Sequence, residues 1–259
     1  MSVARKTRVL GVGKLDPKTL SRLVLTKLGR PDRNVIVGPT LGEDAAILRV
    51  GKDLLAVHTD PVTGASSRIG WIAVMASTND IYSKGIRPRF LSVVILLPPD
   101  TSETSLAAIA SDIEEAAMEV GASIVGGHTE ISRHLTDPIV VCTALGETSR
   151  GQYVTSSGGH PGDSIIVTKG AAIEGTAIVA YDLPQLLEGK VSSKVQSKAR
   201  KFIDELSISR EAETAMASGG ITAMHDVTEG GVLCAVQEVA AASKCGFCVR
   251  AEDIPVRAE

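Results

Sequence analysis

Residues 69–84 read IGWIAVMASTNDIYSK, and this stretch decides how the rest of the chain is arranged. On a helical wheel, small and aliphatic residues share one face: Ile69, Ile72, Ala73 and Ala76. Larger apolar residues share the opposite face: Trp71, Val74, Met75, Ile81 and Tyr82. A helix that is apolar on two faces is buried on both. We therefore predict a helix over 69–84 that lies between a sheet and a second layer.

One carboxylate interrupts this apolar pattern. Asp80 lies four residues after Ala76, so it continues the small apolar face, with Asn79 beside it. An ionised carboxylate in such a position costs several kcal/mol unless it is paired or binds a cation. Asp80 is therefore a candidate metal ligand.

Three further aspartates are placed at the ends of apolar segments. Asp44 lies at a turn into an apolar strand in GEDAAIL, Asp60 ends LLAVHTD, and Asp226 ends ITAMHD. Strand ends are where α/β folds place ligand sites. Converging carboxylates repel one another unless a cation neutralises them, and all-oxygen ligation favours Mg²⁺ over Zn²⁺. The alternative, that an individual Asp only caps a turn or a helix, stays open for each of them.

The segments around the central helix alternate between strand and helix patterns. Apolar runs at 44–50 and 54–62, joined by Gly51-Lys52-Asp53, predict a hairpin. The runs RFLSVVILLP and PIVVCTALGE predict two more strands. Between them, Asp100 and Glu103 match a capping box that opens a helix, for which Gly121 provides a C-terminal cap.

The segment GASIVGGHTEIS at 121–132 combines a strand pattern with a polar, glycine-rich end. We predict a buried strand over residues 122–125 that stops before the two glycines. Glycines after a strand let the backbone approach a phosphate and donate N–H groups to it. His128 and Thr129 add side-chain donors, so the segment is a candidate phosphate-binding loop.

A polar, glycine-rich segment at 148–163 indicates a domain boundary. We predict a first domain over 1–150 and a second over 151–259. In the second, SIIVTKG, ITAMHDVTEGG and GFCVR have strand patterns, while 174–181, 193–218 and GVLCAVQEVAAAS have helical patterns. Both domains are thus predicted to be α/β. The chain ends soon after GFCVRAEDIPVRAE, so we expect the second domain to be incomplete.

The composition narrows the classes of function. The 259 residues are 44% hydrophobic and carry a net charge of -3, without a basic run, so nucleic acid is not a favoured partner. No apolar stretch is long enough to span a membrane, and the basic start lacks the apolar core of a signal peptide. We expect a cytoplasmic protein. Cys245 and Cys248 lack a second Cys/His pair that would complete a zinc site, and we interpret CGFC as a turn.

Five motifs occur in the order seen in the aminoimidazole ribonucleotide synthetase (PurM-like) superfamily: GEDAAIL, HTDPVTGA, IGWIAVMASTNDIYSKGIRPRFL, GGHTEI and HDVTEGGV. This group includes selenophosphate synthetase, thiamine-monophosphate kinase and the hydrogenase-maturation protein HypE, which the chain resembles most. The resemblance implies an N-terminal α/β domain that dimerises through its sheet into a shared barrel, followed by a second α/β domain. It also implies a homodimer with ATP and Mg²⁺ in a cleft between the domains, near the dimer interface.

The resemblance also assigns roles to individual residues. It implies metal binding by Asp44, Asp60 and Asp80. It implies a nucleotide pocket that includes Asn79, Gly126, Gly127, His128 and Thr129. Some members have a metal-binding Asp where His128 stands. In selenophosphate synthetase, which has His there, the acid of the later D-V-T motif also binds metal, and Asp226 is the match.

Two departures from these relatives bear on function. HypE ends in a Pro-Arg-x-Cys tail whose cysteine carries the group being dehydrated, whereas this chain ends in Val-Arg-Ala-Glu. The reactive Cys or selenocysteine of selenophosphate synthetase is absent from the corresponding region, LGVGKLD, which contains Lys14. The phosphate acceptor, a small molecule or a protein-borne group, is therefore left open.

Three functions are compatible with these residues. The first is an ATP-dependent enzyme that activates an amide or carbonyl oxygen by phosphoryl transfer. In it, His128 or Glu130 is the candidate acid–base group and Lys14 or Lys169 stabilises phosphate charge, although Glu130 in a salt bridge and a solvated Lys14 are the structural alternatives. The second is a small-molecule kinase of the thiamine-monophosphate kinase type. The third is a non-catalytic nucleotide-binding protein of metallocentre assembly.

Overall fold

The computed structural model of the protein describes residues 9–149 and 151–259. Its strands are β1 Val35–Val37, β2 Ala46–Val50, β3 Asp53–Val62, β4 Pro88–Leu97, β5 Ser123–Ile131 and β6 Ile139–Thr148. Its helices are α1 Pro17–Leu23, α2 Ile69–Tyr82, α3 Glu103–Val120, α4 Ile173–Asp182, α5 Pro184–Leu187, α6 Ser193–Arg200, α7 Ser209–Ser218 and α8 Gly231–Ser243. Short 3₁₀ turns lie at Lys201–Glu205 and Ala251–Asp253.

The six strands form one mixed sheet in the order β1-β2-β3-β6-β4-β5. Neighbouring strands pair antiparallel except β4 and β5, which pair parallel. The parallel pair is possible because α3 provides the crossover connection between its strands. β2 and β3 are the predicted hairpin, and Gly51 in its turn has a φ of +62°, which glycine adopts without strain. The mixed α/β class is therefore confirmed.

Helix α2 confirms the prediction made from its two apolar faces. It packs against β3 and β6 of the sheet and against α3 and α7, and every residue in it except Ala76 and Asn79 is buried. Gly70 permits the close approach to α3, since a Cβ there would lie 2.5 Å from the carbonyl oxygen of Ile109. The indole Nε1 of Trp71 donates to a backbone carbonyl in the 3₁₀ turn 201–205 at 2.9 Å, which ties α2 to the second half of the chain.

Helix α3 follows the predicted periodicity but begins differently. Gly121 ends it in a left-handed conformation, with a φ of +70°, as predicted. The N-terminal cap is Ser102, whose hydroxyl accepts from the Ser105 N–H at 3.0 Å. Asp100 lies outside the helix with a φ of +67°, so the predicted capping box of Asp100 and Glu103 is wrong. The serine two residues later occupies the position from which a side chain reaches the first-turn N–H groups.

The prediction that a buried strand stops before the two glycines is wrong. β5 continues through the glycines to Ile131, and its residues are exposed because it is an edge strand with β4 on one side. Its pairing explains the second glycine, since a Cβ at Gly127 would lie 1.8 Å from the carbonyl oxygen of Val93. The apolar pattern identified the strand conformation correctly. Burial is a tertiary property that depends on what covers the edge.

The second half contains α4 to α8, but the strands predicted for it are absent from its described residues. SIIVTKG, ITAMHDVTEGG and GFCVR are irregular, apart from a single bridge between Thr155 and Ala223. An alternating apolar sequence favours an extended backbone, but a strand also needs partners for its N–H and C=O groups. The helical stretch predicted at 193–218 is divided by a 3₁₀ turn into α6 and α7. The boundary between residues 150 and 151 stays a prediction.

One face of the sheet is covered within a single chain and the other is open. Along β4 and β6, buried residues alternate with partly exposed ones, because α2 and α3 pack on one side. Half-buried apolar side chains on the other side include Val94, Leu96, Val141 and Leu145. The six-stranded sheet is not closed, and the barrel shared with a second copy stays a prediction. None of the helices in the described part of the chain combines the length and apolar character that crossing a bilayer requires.

We expect the protein to dimerise through the open face of the sheet and the edge of β5. An edge strand with exposed apolar residues is a template for pairing with another chain, and Val125 on β5 is 62% exposed. Val125→Lys puts a charge on this edge and is expected to convert a dimer into a monomer in sedimentation velocity. Met118→Lys, at a position 76% exposed on α3 and therefore on the covered side of the sheet, is the control that keeps the dimer. A parent protein that is a stable monomer at micromolar concentration would contradict the expectation.

Candidate metal and nucleotide site

The four aspartates singled out in the sequence come together at the C-terminal end of α2. Ligand atoms of Asp44, His225 and Asp226 lie within 4.8 Å of one another, and so do those of His58, Asp60 and Asp80. The alternation of β3 places His58 and Asp60 on the same face of the sheet, across which α2 packs. The charges of Asp44, Asp60 and Asp226 all act on Asp80. We call these four aspartates and two histidines the acidic site.

The charge of Asp44 is compensated within the chain. Its carboxylate accepts from the Ser83 hydroxyl at 2.7 Å and from the Lys84 ammonium at 3.2 Å, and it also contacts Nδ1 of His225. Burial alone would raise the pKa of Asp44, but the hydrogen bond with His225 and the charge of Lys84 lower it. Burial likewise opposes protonation of His225, yet its hydrogen bond to Asp44 raises the pKa of the ring to about 9. Asp44 therefore stays ionised beside two cations.

The other three aspartates are poorly compensated. Burial raises the pKa of Asp80 well above its usual value, and the charges of Asp226, Asp44 and Asp60 raise it further. Burial, followed by the charge of Asp44, raises the pKa of Asp226 to about 7. Burial also raises the pKa of Asp60. A divalent cation among these side chains would favour their ionised forms and so reverse all three shifts.

His58 indicates where such a cation fits. Its Nδ1 contacts the backbone carbonyl of Asp44, so this nitrogen carries a proton and donates. Its Nε2 lies 3.3 Å from a carboxylate oxygen of Asp80. Burial lowers the pKa of His58, which favours the neutral ring, and Nε2 is then an acceptor that faces a second acceptor. Either a proton or a metal ion must lie between the two atoms.

The donor set suits a hard divalent cation. Asp60 and Asp80 offer carboxylate oxygens beside His58, and Asp226 offers one beside Asp44 and His225. Mg²⁺ prefers such oxygens, and His58 adds a nitrogen that ions such as Mn²⁺ also accept. The observations on Asp80 and His58 thus fit the predicted Mg²⁺, and Asp44, Asp60, Asp80 and Asp226 stay its predicted ligands.

Seven residues that neutralise or orient the four aspartates were not predicted from the sequence: Glu43, His58, Ser83, Lys84, Ser156, His225 and Glu238. Two of them had a signal in the sequence. Lys84 lies four residues after Asp80, one turn further along the same helix face, and His225 directly precedes Asp226. Glu238, which lies 2.9 Å from Nε2 of His225, and Ser156, which bonds Lys84, are distant in sequence, and only the fold brings them near.

Lys14 lies at the rim of the acidic site. Its backbone N–H donates to Glu229 at 3.4 Å, and its ammonium contacts Glu238 at 3.5 Å. Burial raises the pKa of Asp60, and the charge of Lys14 opposes that shift. The ammonium group is half exposed, so it is placed to meet an anion that enters the acidic site.

Asn79 and Lys169, which are predicted to bind nucleotide, bond to a loop within this chain. The Asn79 amide donates to the carbonyl of Leu206 at 2.9 Å and accepts from the N–H of Ile208 at 3.0 Å. The ammonium of Lys169 donates to the carbonyl of Glu205 at 2.8 Å. These bonds fix the backbone just before α7. Nucleotide binding by either residue stays a prediction.

The glycine-rich part of β5 is separated from the acidic site within one chain. Across the sheet, Gly127 pairs with Val93, Val93 with Cys142, and Cys142 with Asp60. Three strand spacings amount to roughly 14 Å. The predicted nucleotide-binding residues of β5 and the predicted metal ligands are therefore not brought into contact in a single chain.

The side chains of β5 are nonetheless accessible to a ligand. Five of its residues line a cleft of about 360 Å³ against α3: Ile124, Gly126, Gly127, His128 and Thr129. Nε2 of His128 lies 3.0 Å from a carboxylate oxygen of Glu130, and both side chains are more than half exposed. The two candidate acid–base side chains thus contact each other on an exposed edge strand.

A larger cleft of about 650 Å³ lies elsewhere. Arg49, Tyr153 and Thr155 contribute to its lining, and none of the residues of the acidic site does. Size alone would select this cleft as the functional site. The unusual electrostatics lie in the acidic site, and we assign function there.

Two family profiles match most of the chain. One, described as AIR synthase related protein, N-terminal domain, matches residues 42–148. The other, described as AIR synthase related protein, C-terminal domain, matches residues 160–259. The first range contains Asp44, Asp60 and Asp80, and the second contains Asp226.

Individual relatives cover most of this chain. A selenide, water dikinase of Citrifermentans bemidjiense is 31% identical over 250 residues, which are 94% of this chain and 69% of the relative. A carbamoyl dehydratase HypE of Rhodobacter capsulatus is 28% identical over 261 residues, which are 98% of this chain and 74% of the relative. A solved structure of a hydrogenase maturation protein HypE in complex with ATP matches with a TM-score of 0.66 at 23% identity, over 95% of this chain and 71% of that one. This last likeness shows a shared fold.

We expect Asp80→Asn to leave the metal-free protein as stable as the parent, or to stabilise it by about 1–2 kcal/mol. The change removes a buried charge near three other carboxylates, while the new amide N–H can still donate to Nε2 of His58. Urea unfolding without divalent ions measures the difference, with Asp137→Asn on an exposed loop as control. A loss of several kcal/mol would show that Asp80 is the partner of a buried cation of the protein.

The metal-free protein is expected to lose stability as the pH rises from about 4 to about 7. Asp226 keeps its proton up to a pKa of about 7 in the folded protein, whereas an unfolded aspartate loses it near pH ~3.9. The folded state binds more protons in this window, so the unfolding free energy falls with pH, by at most ~1.4 kcal/mol per pH unit. The contribution of His225 is lost at higher pH, as the pH rises through about 9.

Asp226→Asn is expected to reduce this slope between pH 4 and 7, because the amide binds no proton in either state. Denaturant unfolding at a series of pH values measures it for both proteins. A variant with the parent's slope would show that another group controls the pH dependence.

Proposed function

The chain belongs to the AIR synthase related protein family, and from that premise we propose that it is an ATP- and Mg²⁺-dependent enzyme. In this proposal it transfers a phosphoryl group from ATP to an amide or carbonyl oxygen of its acceptor. Relatives of this chain include a selenide, water dikinase and a carbamoyl dehydratase HypE, and a HypE structure contains ATP. The acceptor, a small molecule or a protein-borne group, is part of the proposal.

The acidic site is the observation that carries this proposal. Asp60, Asp80 and Asp226 are buried or half-buried carboxylates whose pKa values are raised by burial and by the charges of neighbouring carboxylates. Mg²⁺ held by a few carboxylates usually also binds substrate phosphates. When bound, the ion supplies charge neutralisation for the phosphate oxygens.

Lys14 has the second role in this proposal. Its half-exposed ammonium lies at the rim of the acidic site, held loosely by Glu238 at 3.5 Å. A phosphate group that enters would compete with that contact. Lys14 would then stabilise the charge that develops on the transferred phosphoryl group.

His128 and Glu130 take part in this proposal only in a homodimer. Within one chain, Gly127 of the same strand lies three strand spacings, roughly 14 Å, from Asp60. We infer that β5 of one protomer supplies its glycine N–H groups, His128 and Glu130 to nucleotide bound at the acidic site of the other. The exposure of β5 along its whole length supports this arrangement.

Activation of a carboxamide oxygen explains why a dehydratase would use such a site. The oxygen attacks the γ-phosphorus and ADP leaves. Loss of the oxygen as phosphate, with two protons removed from the amide nitrogen, then leaves a nitrile. The protein has to orient the amide, neutralise the phosphate and accept protons, which Lys14 and the His128–Glu130 pair are suited to do.

A second candidate function is that of a selenide, water dikinase, the type of one relative, but the cysteines of this chain disfavour it. The first cysteine of this chain is Cys142, and it is buried in β6. Burial also raises the pKa of its thiol to about 12, so it is a poor nucleophile. A reactive cysteine near Lys14, which that activity would imply, is absent from the sequence.

Phosphorus NMR of ATP incubated with the protein and Mg²⁺ tests the proposal. We expect slow formation of ADP and phosphate, and a rise in melting temperature with Mg²⁺ and ATP that exceeds the rise with ATP alone. Asp60→Asn is expected to lower turnover roughly 100-fold and to abolish the Mg²⁺-dependent part of the shift. Asp137→Asn is the control that keeps both.

The products separate the candidate functions. AMP with two phosphate-derived products would favour the dikinase type over the proposed chemistry. Nucleotide binding without any turnover would favour a non-catalytic assembly protein. A lasting phosphorylated metabolite in a substrate screen would favour a small-molecule kinase.

A further inference from the structure

Lys84 is buried completely in the middle of the acidic residues. Its side chain has no exposed surface, and it follows directly on the last turn of α2. Its ammonium donates to Glu43 at 3.1 Å, to Asp44 at 3.2 Å and to the hydroxyl of Ser156 at 3.1 Å. An ammonium group has three N–H donors and no acceptor. All three donors of Lys84 therefore have an oxygen partner.

Further hydrogen bonds hold the backbone of Lys84 and its partners in place. The carbonyl of Lys84 accepts from the N–H of Val154 at 3.0 Å, which holds the lysine backbone in place. Ser156 donates its own N–H to Glu43 at 3.3 Å. The side chains of Glu43 and Asp44 are only 4% and 3% exposed. Three oxygen ligands from two separate segments, Glu43-Asp44 and Ser156, thus surround one positive charge, away from water.

Because of this lysine, the carboxylate of Asp44 is neutralised within the chain, whereas those of Asp60 and Asp80 are not. One oxygen of Asp44 accepts from Ser83 and Lys84, and the other contacts His225. Asp44 therefore has donors of this chain on both oxygens. Asp60 and Asp80 face each other and His58. Burial lowers the pKa of His58 and so favours its neutral form. At Asp60 and Asp80 a proton or a divalent ion has to supply positive charge, whereas at Asp44 a cation is already present.

We propose that Lys84 is a built-in cation that occupies, at Glu43 and Asp44, the place where a second divalent ion would otherwise bind. This inference rests on the proposed function, since it takes Asp60, Asp80 and Asp226 as the metal ligands. The predicted role of Asp44 changes accordingly, from a metal ligand to the partner of Lys84. Without nucleotide the protein then binds one divalent ion per protomer, and Lys84 acts as a positioning residue that keeps Asp44 and the end of α2 in place before metal arrives.

The test is the number of Mn²⁺ ions bound per protomer in the absence of nucleotide, counted by electron paramagnetic resonance of the free ion. Lys84→Met keeps the length of the side chain and removes its charge. We expect one bound ion in the parent protein and two in the variant. We also expect the variant to unfold at a lower temperature without divalent ions and to gain more than the parent when Mn²⁺ is added, because the ion restores the missing charge.

Lys169→Met is the matched control. Lys169 is also mostly buried and also surrounded by oxygen atoms, from Glu205, Ser207 and Glu211, but these do not belong to the acidic site. Its loss is expected to lower stability without adding a Mn²⁺ ion. A merely structural role of Lys84 would give the same result as this control.

A second variant covers the case in which Lys84→Met does not fold. Glu43→Gln keeps the lysine but removes one of the two charges that it neutralises. The excess positive charge should then repel an ion at Asp60 and Asp80, and we expect the Kd of the remaining Mn²⁺ site to rise at least threefold. An unchanged Kd would overturn the inference.

The outcomes separate this inference from the proposed function. Equal ion numbers in parent and Lys84→Met would overturn the role of Lys84 and leave the metal site standing. No ion in the parent and one in the variant would support the role of Lys84 and overturn the metal site at Asp60 and Asp80. No ion in either protein would overturn both.

Discussion

The structure depends on one helix that must be covered on both faces and that carries charge into the covered region. α2 has a sheet on one side and helices on another, so nearly all of its residues are buried. Asp80 and Lys84 lie one turn apart at its end, where water cannot neutralise them. Each therefore needs partners supplied by other segments. His58 of the hairpin contacts Asp80, and Glu43, Asp44 and Ser156 accept from Lys84, so these segments meet this need.

Most helices and strands of the first half could be predicted from the sequence. The pattern of apolar residues identifies an element when one of its faces, or all of it, is buried. The apolar faces of α2, the β2–β3 hairpin and the periodicity of α3 each follow from neighbouring residues. The convergence of Asp44, Asp60, Asp80 and Asp226 could be inferred because each interrupts an apolar segment. Whether they bind a metal ion stays a prediction. The sequence pattern could not show that Asp44 is satisfied by Lys84 and His225, since that depends on side chains meeting across the fold.

The errors share a physical cause, which is that a strand is completed by its neighbours. β5 was expected to be buried and to end early, but it is an edge strand whose exposure depends on what lies beside it. The strands expected in SIIVTKG and GFCVR have no partner among the described residues. The same limit applies to side chains: Asn79 and Lys169 bond to a loop more than thirty residues away in sequence, which no local pattern shows, while their nucleotide-binding role stays a prediction.

Asn79 and Asp80 are consecutive in α2, and this adjacency has a mechanical consequence. Asp80 faces the acidic site, while the amide of Asn79 holds the backbone at Leu206 and Ile208, just before α7. A small rotation of the last turn of α2 would move both side chains together. The last turn of α2 therefore connects the acidic site to the backbone before α7, so that a displacement of either one would be transmitted to the other.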